Sequence, residues 1–253
     1  MMQEVNAAPA LDLTTCDREP IHLPGRIQPH GVLLALEEST LTIRQLSQNS
    51  EAHLGLPPEQ LLNQPLDCLL PPAEGAALRQ SLLNSTTGAP NFLPITLLVE
   101  GKPQRFDAII HRHDGLLIVE LENPHPLDAG AKPTGGADDL YLVLMRRVMA
   151  QLQAASTLGE ACAVLVQEVR AFTGFDRVMI YKFHEDDHGE VIAEAMANGQ
   201  ESFLGLHYPA SDIPRQARRL YTLNWLRAIV DAHYTPVELV PTLNPLTNAP
   251  LDL

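Results

Sequence analysis

The chain has 253 residues, with 17 Lys+Arg against 31 Asp+Glu and a formal net charge of −14. That length exceeds one ordinary domain, and that charge argues against nucleic acid or an anionic membrane surface as the main partner. No apolar run is long enough to cross a bilayer, the acidic start Met1-Met2-Gln3-Glu4 is not a secretory leader, and three scattered cysteines, Cys16, Cys68 and Cys162, suggest reduced thiols in a cytoplasmic protein.

Residues 1–16 lack periodicity and read as an arm ending at Cys16, whose neighbours Asp17 and Glu19 disfavour a thiolate. The proline-punctuated stretch 16–25 is expected to be extended rather than helical. Residues 32–36 read as a buried strand and 41–46 as a strand with one wet face. Short helices are expected over 49–56, 59–70 and 72–83, broken at Pro57-Pro58 and Pro65. Strands are expected at 92–100, 104–110 and 116–121, separated by Gly101-Lys102 and Asp114-Gly115. This order is α+β with a mostly antiparallel sheet, and it looks like a PAS domain over 17–124. His111 and His113 share one face of a strand end; with no third ligand nearby they read as a solvated terminus rather than a metal site. Cys68, between leucines, reads as a small core residue.

A stretch rich in Pro, Gly, Ala and Asp, 125–137, reads as a linker, with a second domain over 138–253. From Asp138 to Leu152, leucines, valine and methionines recur at helical spacing in one broad stripe. That stripe packs either on the domain's own sheet or on the same helix of a second copy. Thr157 caps a helix over 158–173 that turns Cys162 inward. Strands are expected at 177–183 and 190–195 around a turn at 186–189; Asp186 and Asp187 lack the rest of a calcium loop. Ile229-Val230 starts another strand, and from Thr235 onward Pro236, Pro241, Pro245 and Pro250 make an irregular segment. Two helices and two strands do not complete a sheet, so this domain is expected to be incomplete at its C-terminus.

Tyr208-Pro209-Ala210-Ser211-Asp212-Ile213-Pro214-Arg215 is the stiffest stretch. Pro209 and Pro214 fix φ and push the preceding residues out of the helical region. Asp212 stands as N-cap of a helix running from Pro214 to about Asn224. Two readings remain open: a well-capped surface helix, or a rigid shelf that holds a carboxylate and a backbone carbonyl against a ligand.

Pro20-Ile21-His22-Leu23-Pro24-Gly25-Arg26-Ile27-Gln28-Pro29-His30-Gly31 behind Cys16 resembles the photosensory PAS–GAF module of bacteriophytochromes. So do Gly174-Phe175-Asp176-Arg177-Val178-Met179-Ile180-Tyr181-Lys182-Phe183, Gly189-Glu190-Val191-Ile192-Ala193-Glu194 and the proline-flanked shelf. The resemblance implies biliverdin, a linear tetrapyrrole, held in the GAF domain and joined to Cys16 by a thioether. It implies that the Asp212 carbonyl accepts from the pyrrole N–H groups, and that the Asp212 carboxylate sits near the ring that isomerises. Tyr181, Phe203 and Tyr208 would wall that ring, with Met179 and Ile213 nearby. Tyr221 and Arg227 would face a propionate, for which a guanidinium suits well. It implies a knot, with the strand at Ile27 threaded through a loop over 229–253. The family's later histidines and its PHY and histidine-kinase portions have no counterpart in this sequence. The chain is therefore expected to signal by conformation and not to catalyse; it carries no phosphate-binding glycine loop, nucleophile elbow or kinase motif. The competing reading is a pigment-free PAS–GAF interaction module that forms a homodimer through the helix from Asp138 to Leu152.

Overall fold

A computed structural model describes residues 20–71, 75–76, 78–79, 91–124, 137–223 and 226–251. The arm with Cys16, most of the helix expected over 72–83, the linker 125–136 and Trp225 lie outside the described residues. The chain divides into two compact units, one built from Pro20–Gly130 together with Thr222–Leu253, the other containing Ala131–Tyr221.

The first unit is a seven-stranded antiparallel sheet in the order β1-β10-β3-β2-β6-β5-β4. Its strands are β1 (Arg26–Ile27), β2 (Gly31–Glu37), β3 (Thr42–Ser47), β4 (Asn91–Val99), β5 (Lys102–His113), β6 (Leu116–Glu122) and β10 (Val237–Val240). The unbroken apolar run of β2 follows from its central place, because both of its faces are covered. Val32, Leu34 and Leu36 enter the main core with Phe106, Val119 and Leu121, whereas Leu33 and Ala35 join Leu116, Ile118, Leu239 and Leu251 on the other face. The hairpins β4–β5 and β5–β6 turn at Glu100-Gly101 and Asp114-Gly115, where all four residues have positive φ, as a two-residue turn matched to strand twist requires.

Short helices α1 (Ser50–Leu54) and α2 (Pro58–Leu61) and a 3-10 turn, Leu66–Leu69, cover the main core. In a 3-10 turn residues three apart share a face, so Leu66 and Leu69 are buried and Cys68 between them is exposed. The expectation of Cys68 as a core residue is thus corrected. The expectation of a strand terminus at His111 and His113 agrees with the end of β5, but the terminus is half-buried rather than solvated. Strand β5 runs on to His113, and His111 is half-buried on the sheet, 3.6 Å from Glu120. Burial, and then the charge of His113, lower the pKa of His111, while burial raises that of Glu120.

No strand forms at Ile229-Val230. The strand lies further on, at Val237–Val240, between Pro236 and Pro241. Prolines on both sides hide it from a pattern search, yet they suit the ends of a short strand. It enters between β1 and β3, with Ile27 opposite Val237 and Leu239 opposite Ser47. The buried Gln45 donates to the Pro241 carbonyl at 2.6 Å. Asn244, fully buried, donates to the Asp114 carbonyl, accepts from the Leu246 N–H and bonds Ala249 through its own N–H. Those bonds satisfy a polar side chain that would otherwise be costly inside and set Leu251 into the outer core.

The second unit contains helices α3 (Ala137–Ala154) and α4 (Leu158–Thr173), strands β7 (Arg177–Phe183), β8 (Gly189–Met196) and β9 (His207–Tyr208), and helix α5 (Arg215–Leu223) as far as Tyr221. As expected, Thr157 caps α4, its hydroxyl accepting from the Glu160 N–H at 3.2 Å, and Gly174 ends it at φ +72°. Cys162 and Val166 pack on Val178, Ile180, Ala193 and Ala195, and Arg147 pairs with Glu168 across α3 and α4.

Leu239 is 2% exposed. Leu239→Ala should lower the stability of the first unit by about 2–5 kcal/mol, read as an earlier urea midpoint; an unchanged midpoint would mean that β10 does not pack on this sheet.

Candidate functional site

Strands β7 and β8 pair in regular register as far as Ile180 opposite Ala193, then slip so that Tyr181 stands opposite Val191. Such a bulge re-aims the side chains beyond it. The phenol of Tyr181 lies where Gly189 has no side chain, and a Cβ on Gly189 would clash with the phenol. Tyr181 then meets Phe183 edge-on, with ring centroids 5.2 Å apart, and Tyr208 at 5.9 Å. Phe183 in turn lies 6.4 Å from Tyr221. The result is a connected aromatic floor that water reaches: Phe183 is 40% exposed, Met179 41% and Tyr221 51%.

The shelf follows β9. Tyr208 pairs with Gly189, Pro209 is extended at φ −65°, and Ala210–Asp212 forms one 3-10 turn, closed by the Asp212 N–H on the Pro209 carbonyl at 3.1 Å. Ile213 is extended at φ −127° and ψ 101°, as a residue before proline must be. Asp212 is therefore not the cap of the following helix. The first helical bond runs from the Arg218 N–H to the Pro214 carbonyl at 3.1 Å, which leaves Asp212 on an exposed ledge two residues ahead. Burial, then the charge of Asp212, then Tyr208 raise the Tyr181 pKa, against an opposing effect of Arg218. The raised pKa keeps Tyr181 a neutral hydroxyl.

Beside the floor is a separate ion cluster. Arg177 lies 3.1 Å from Glu194, whose side chain is 3% exposed, and it covers the Phe203 ring at 3.7 Å. Glu194 also accepts from the Ser202 hydroxyl at 2.7 Å and the Phe203 N–H at 3.0 Å. The Ser202 hydrogen bond, the Phe203 N–H and the Arg177 charge together hold the Glu194 carboxyl below its ordinary range.

Of the residues singled out in the sequence, Tyr181, Tyr208, Asp212 and Tyr221 thus come together, with Met179 exposed on β7 and Ile213 half-buried in the bend. Phe203 faces Arg177, and Arg227 belongs to the stretch Thr222–Leu253 of the first unit. Cys16 lies outside the described residues. Phe183, Gly189, Asp187 and Arg218 were not among the expected site residues. Phe183 was within reach of two-residue periodicity with Met179 and Tyr181; the other three owe their roles to contacts that no local pattern encodes. Among the described residues no group of three or more His, Cys, Asp or Glu is arranged to hold a metal ion, and no helix is long and apolar enough to cross a membrane.

The PAS fold family matches residues 16–124. Cyanobacterial phytochrome B of Nostoc sp. is 47% identical over 243 residues, which is 96% of this chain and 32% of that protein. The bacteriophytochrome of Pseudomonas aeruginosa is 37% identical over 247 residues, 95% of this chain and 31% of that protein. The crystal structure of the chromophore-binding domain of an unusual bacteriophytochrome from R. palustris superposes with a TM-score of 0.82 at 40% identity, covering 94% of this chain and 74% of that one. The chain belongs to the phytochrome family. The wild-type chromophore-binding domain of a Stigmatella aurantiaca phytochrome agrees equally, with a TM-score of 0.81 at 43% identity over 94% of this chain and 76% of that one. The mixed helix-and-sheet fold expected from the sequence is thus that of phytochrome chromophore-binding domains. This phytochrome chain spans about a third of the length of the curated relatives it matches.

A carboxylate whose pKa is depressed in the folded state stabilises above its unfolded pKa, and that stabilisation is lost as pH falls through the folded value. Glu194→Gln should therefore melt below the wild-type chain at pH 7, with the gap closing below about pH 4.3. A gap that stays constant down to pH 3 would remove the ionised carboxylate from this account.

Proposed function

We propose that this chain is the pigment-binding part of a bacteriophytochrome-like red/far-red photoreceptor, that it holds biliverdin on the floor formed by Tyr181, Phe183, Tyr208 and Tyr221, and that it signals by a light-driven change of conformation. The observation that carries this reading is an exposed, connected aromatic surface beside a rigid ledge that offers one carboxylate. A flat conjugated ligand with N–H groups at its centre needs apolar walls and a few placed acceptors, and large exposed apolar surface marks a binding site. The residues present therefore fit such a pigment.

In this reading the Asp212 carbonyl would accept from the pyrrole N–H groups, and the neutral Tyr181 hydroxyl and the Asp212 carboxylate would stand at the isomerising ring. Met179 and Ile213 would pack beside it, Phe203 would close the wall from its seat on Arg177, and Tyr221 would meet a propionate, the role expected of Arg227 as well. Bound biliverdin would supply the red absorption and the double bond that isomerises. Cys16 would carry the covalent link, its thiol adding across a vinyl group of the pigment with the S–H proton passing to the neighbouring carbon. A reduced thiol of this kind suits the cytoplasm. Proximity drives such an addition once the arm and the pigment share one site. The chain itself catalyses nothing further.

Biliverdin added to the purified chain should give a red absorption band that survives denaturation, and Cys16→Ser should abolish the denaturation-resistant fraction while leaving pigment that denaturant removes. Pigment that stays attached to Cys16→Ser in denaturant would refute the linkage, and a wild-type chain that takes up no pigment would return the reading to a pigment-free interaction module.

Homodimerisation belongs to the same proposal. Helix α3 exposes Met145 at 38% and Met149 at 54%, four residues apart and so on one face, which suits the same helix of a second copy. Met149→Glu should weaken self-association by about tenfold or more, since it buries an unpaired charge in that interface; sedimentation with unchanged association would locate the contact elsewhere.

A further inference from the structure

We propose that Arg218 is a positioning residue which, by closing on Asp187 in the β7–β8 turn, fixes the Asp212 ledge over the aromatic floor. This inference rests on the pigment-binding reading above and names a part of its machinery.

The turn is built before α5 reaches it. The His184 N–H bonds the His188 carbonyl at 2.9 Å, and the Asp187 N–H bonds the His184 carbonyl at 3.0 Å. The His184 and His188 rings stack at 4.2 Å and within 5° of parallel. Each ring is held by its own carboxylate, His184 by Glu190 at 2.9 Å and His188 by Asp186 at 2.5 Å. Asp187 at the tip has φ +70°, a left-handed conformation uncommon outside glycine and asparagine or aspartate. In it the carbonyl and the carboxylate of a single residue both face Arg218.

Arg218 answers with one nitrogen. Its Nη1 donates to the Asp187 carbonyl at 2.7 Å and lies 3.2 Å from the Asp187 carboxylate. The Arg218 side chain is only 14% exposed, so this pair is less screened than a surface ion pair. Arg215 lies 3.9 Å from the same carboxylate but is 81% exposed, which makes it the weaker partner. The Arg218 guanidinium also stands 6.0 Å from the centre of the Phe183 ring, within cation–π reach. One side chain therefore touches both the turn and the floor. Its backbone N–H makes the first bond of α5, to Pro214, and Pro214 is joined to Asp212 only through the extended Ile213. Tyr208 on Gly189 holds the ledge at its N-terminal side, and Arg218 holds it at its C-terminal side. A rigid ledge is what pigment binding needs, because an acceptor held in place costs no ordering entropy on binding.

The experiment combines Arg218→Gln, Arg218→Lys, Asp187→Asn and the Arg218→Gln/Asp187→Asn double variant of the full chain, with biliverdin as the ligand. Losing a charged hydrogen bond of this kind should weaken biliverdin binding by about tenfold or more and shift the red band. Arg218→Lys should recover part of the affinity, and the double variant should be no worse than Arg218→Gln alone, as coupled partners require. Without pigment, Arg218→Gln should speed hydrogen exchange of the Asp212 and Ile213 amides by about tenfold or more, with the melting temperature of the chain little changed. Wild-type affinity and exchange in Arg218→Gln would overturn the proposal. So would additive losses in the double variant, which would mean that Arg218 acts without Asp187. If the wild-type chain takes up no biliverdin, the pigment reading fails, and the exchange comparison still decides whether Arg218 holds the ledge.

Discussion

The site depends on a missing side chain. Tyr181 can turn its phenol into the middle of the floor only because Gly189 leaves that volume empty on the neighbouring strand. The slip in register at Ile180 and Tyr181 brings the ring over that gap, and Tyr208, paired to the same glycine, arrives beside it. Any Cβ at Gly189 would force the phenol out and separate the tyrosines. Phe183 and Tyr221 then extend the surface outward, and Asp212 stands exposed on the ledge that follows Tyr208.

The chemistry of the site comes from two opposite kinds of rigidity. The ledge is rigid because proline leaves its neighbours little choice: Ile213 must be extended, so the chain cannot coil directly from Asp212 into α5. The turn is rigid because stacked imidazoles, their carboxylates and backbone bonds hold it from within. Glu194 fixes the segment that carries Phe203, and Arg177 roofs its ring.

Much of this was legible in the sequence, for definite reasons. Strands with strong alternation or buried runs, such as β2, β5 and β7, and a helix with a good cap, such as α4, announce themselves through residues close in sequence. What escaped was decided by partners far away. Strand β10 has four residues between prolines and exists because β1 and β3 leave it a place. Cys68 looked like core from its leucine neighbours, but a 3-10 turn has a different period from an α-helix. Asp212 looked like a cap because an acidic residue before Ile-Pro fits that pattern, yet Pro214 takes the first helical bond. The tyrosines and the aspartate of the site were reached through family resemblance. Physical patterning alone left the ledge undecided between a cap and a shelf.

The late position of β10 has a consequence for how the chain acquires its shape. Strands β1 and β3 are made early, while the strand that separates them comes about 190 residues after β3, with the whole of Ala131–Tyr221 intervening. During synthesis, which runs from the N-terminus, the sheet must wait with two unsatisfied borders until the ribosome has released Val237–Val240. Contacts so distant in sequence form slowly, and exposed borders invite pairing with other chains. The interval before β10 arrives is therefore when this protein is most vulnerable to association with its own nascent neighbours.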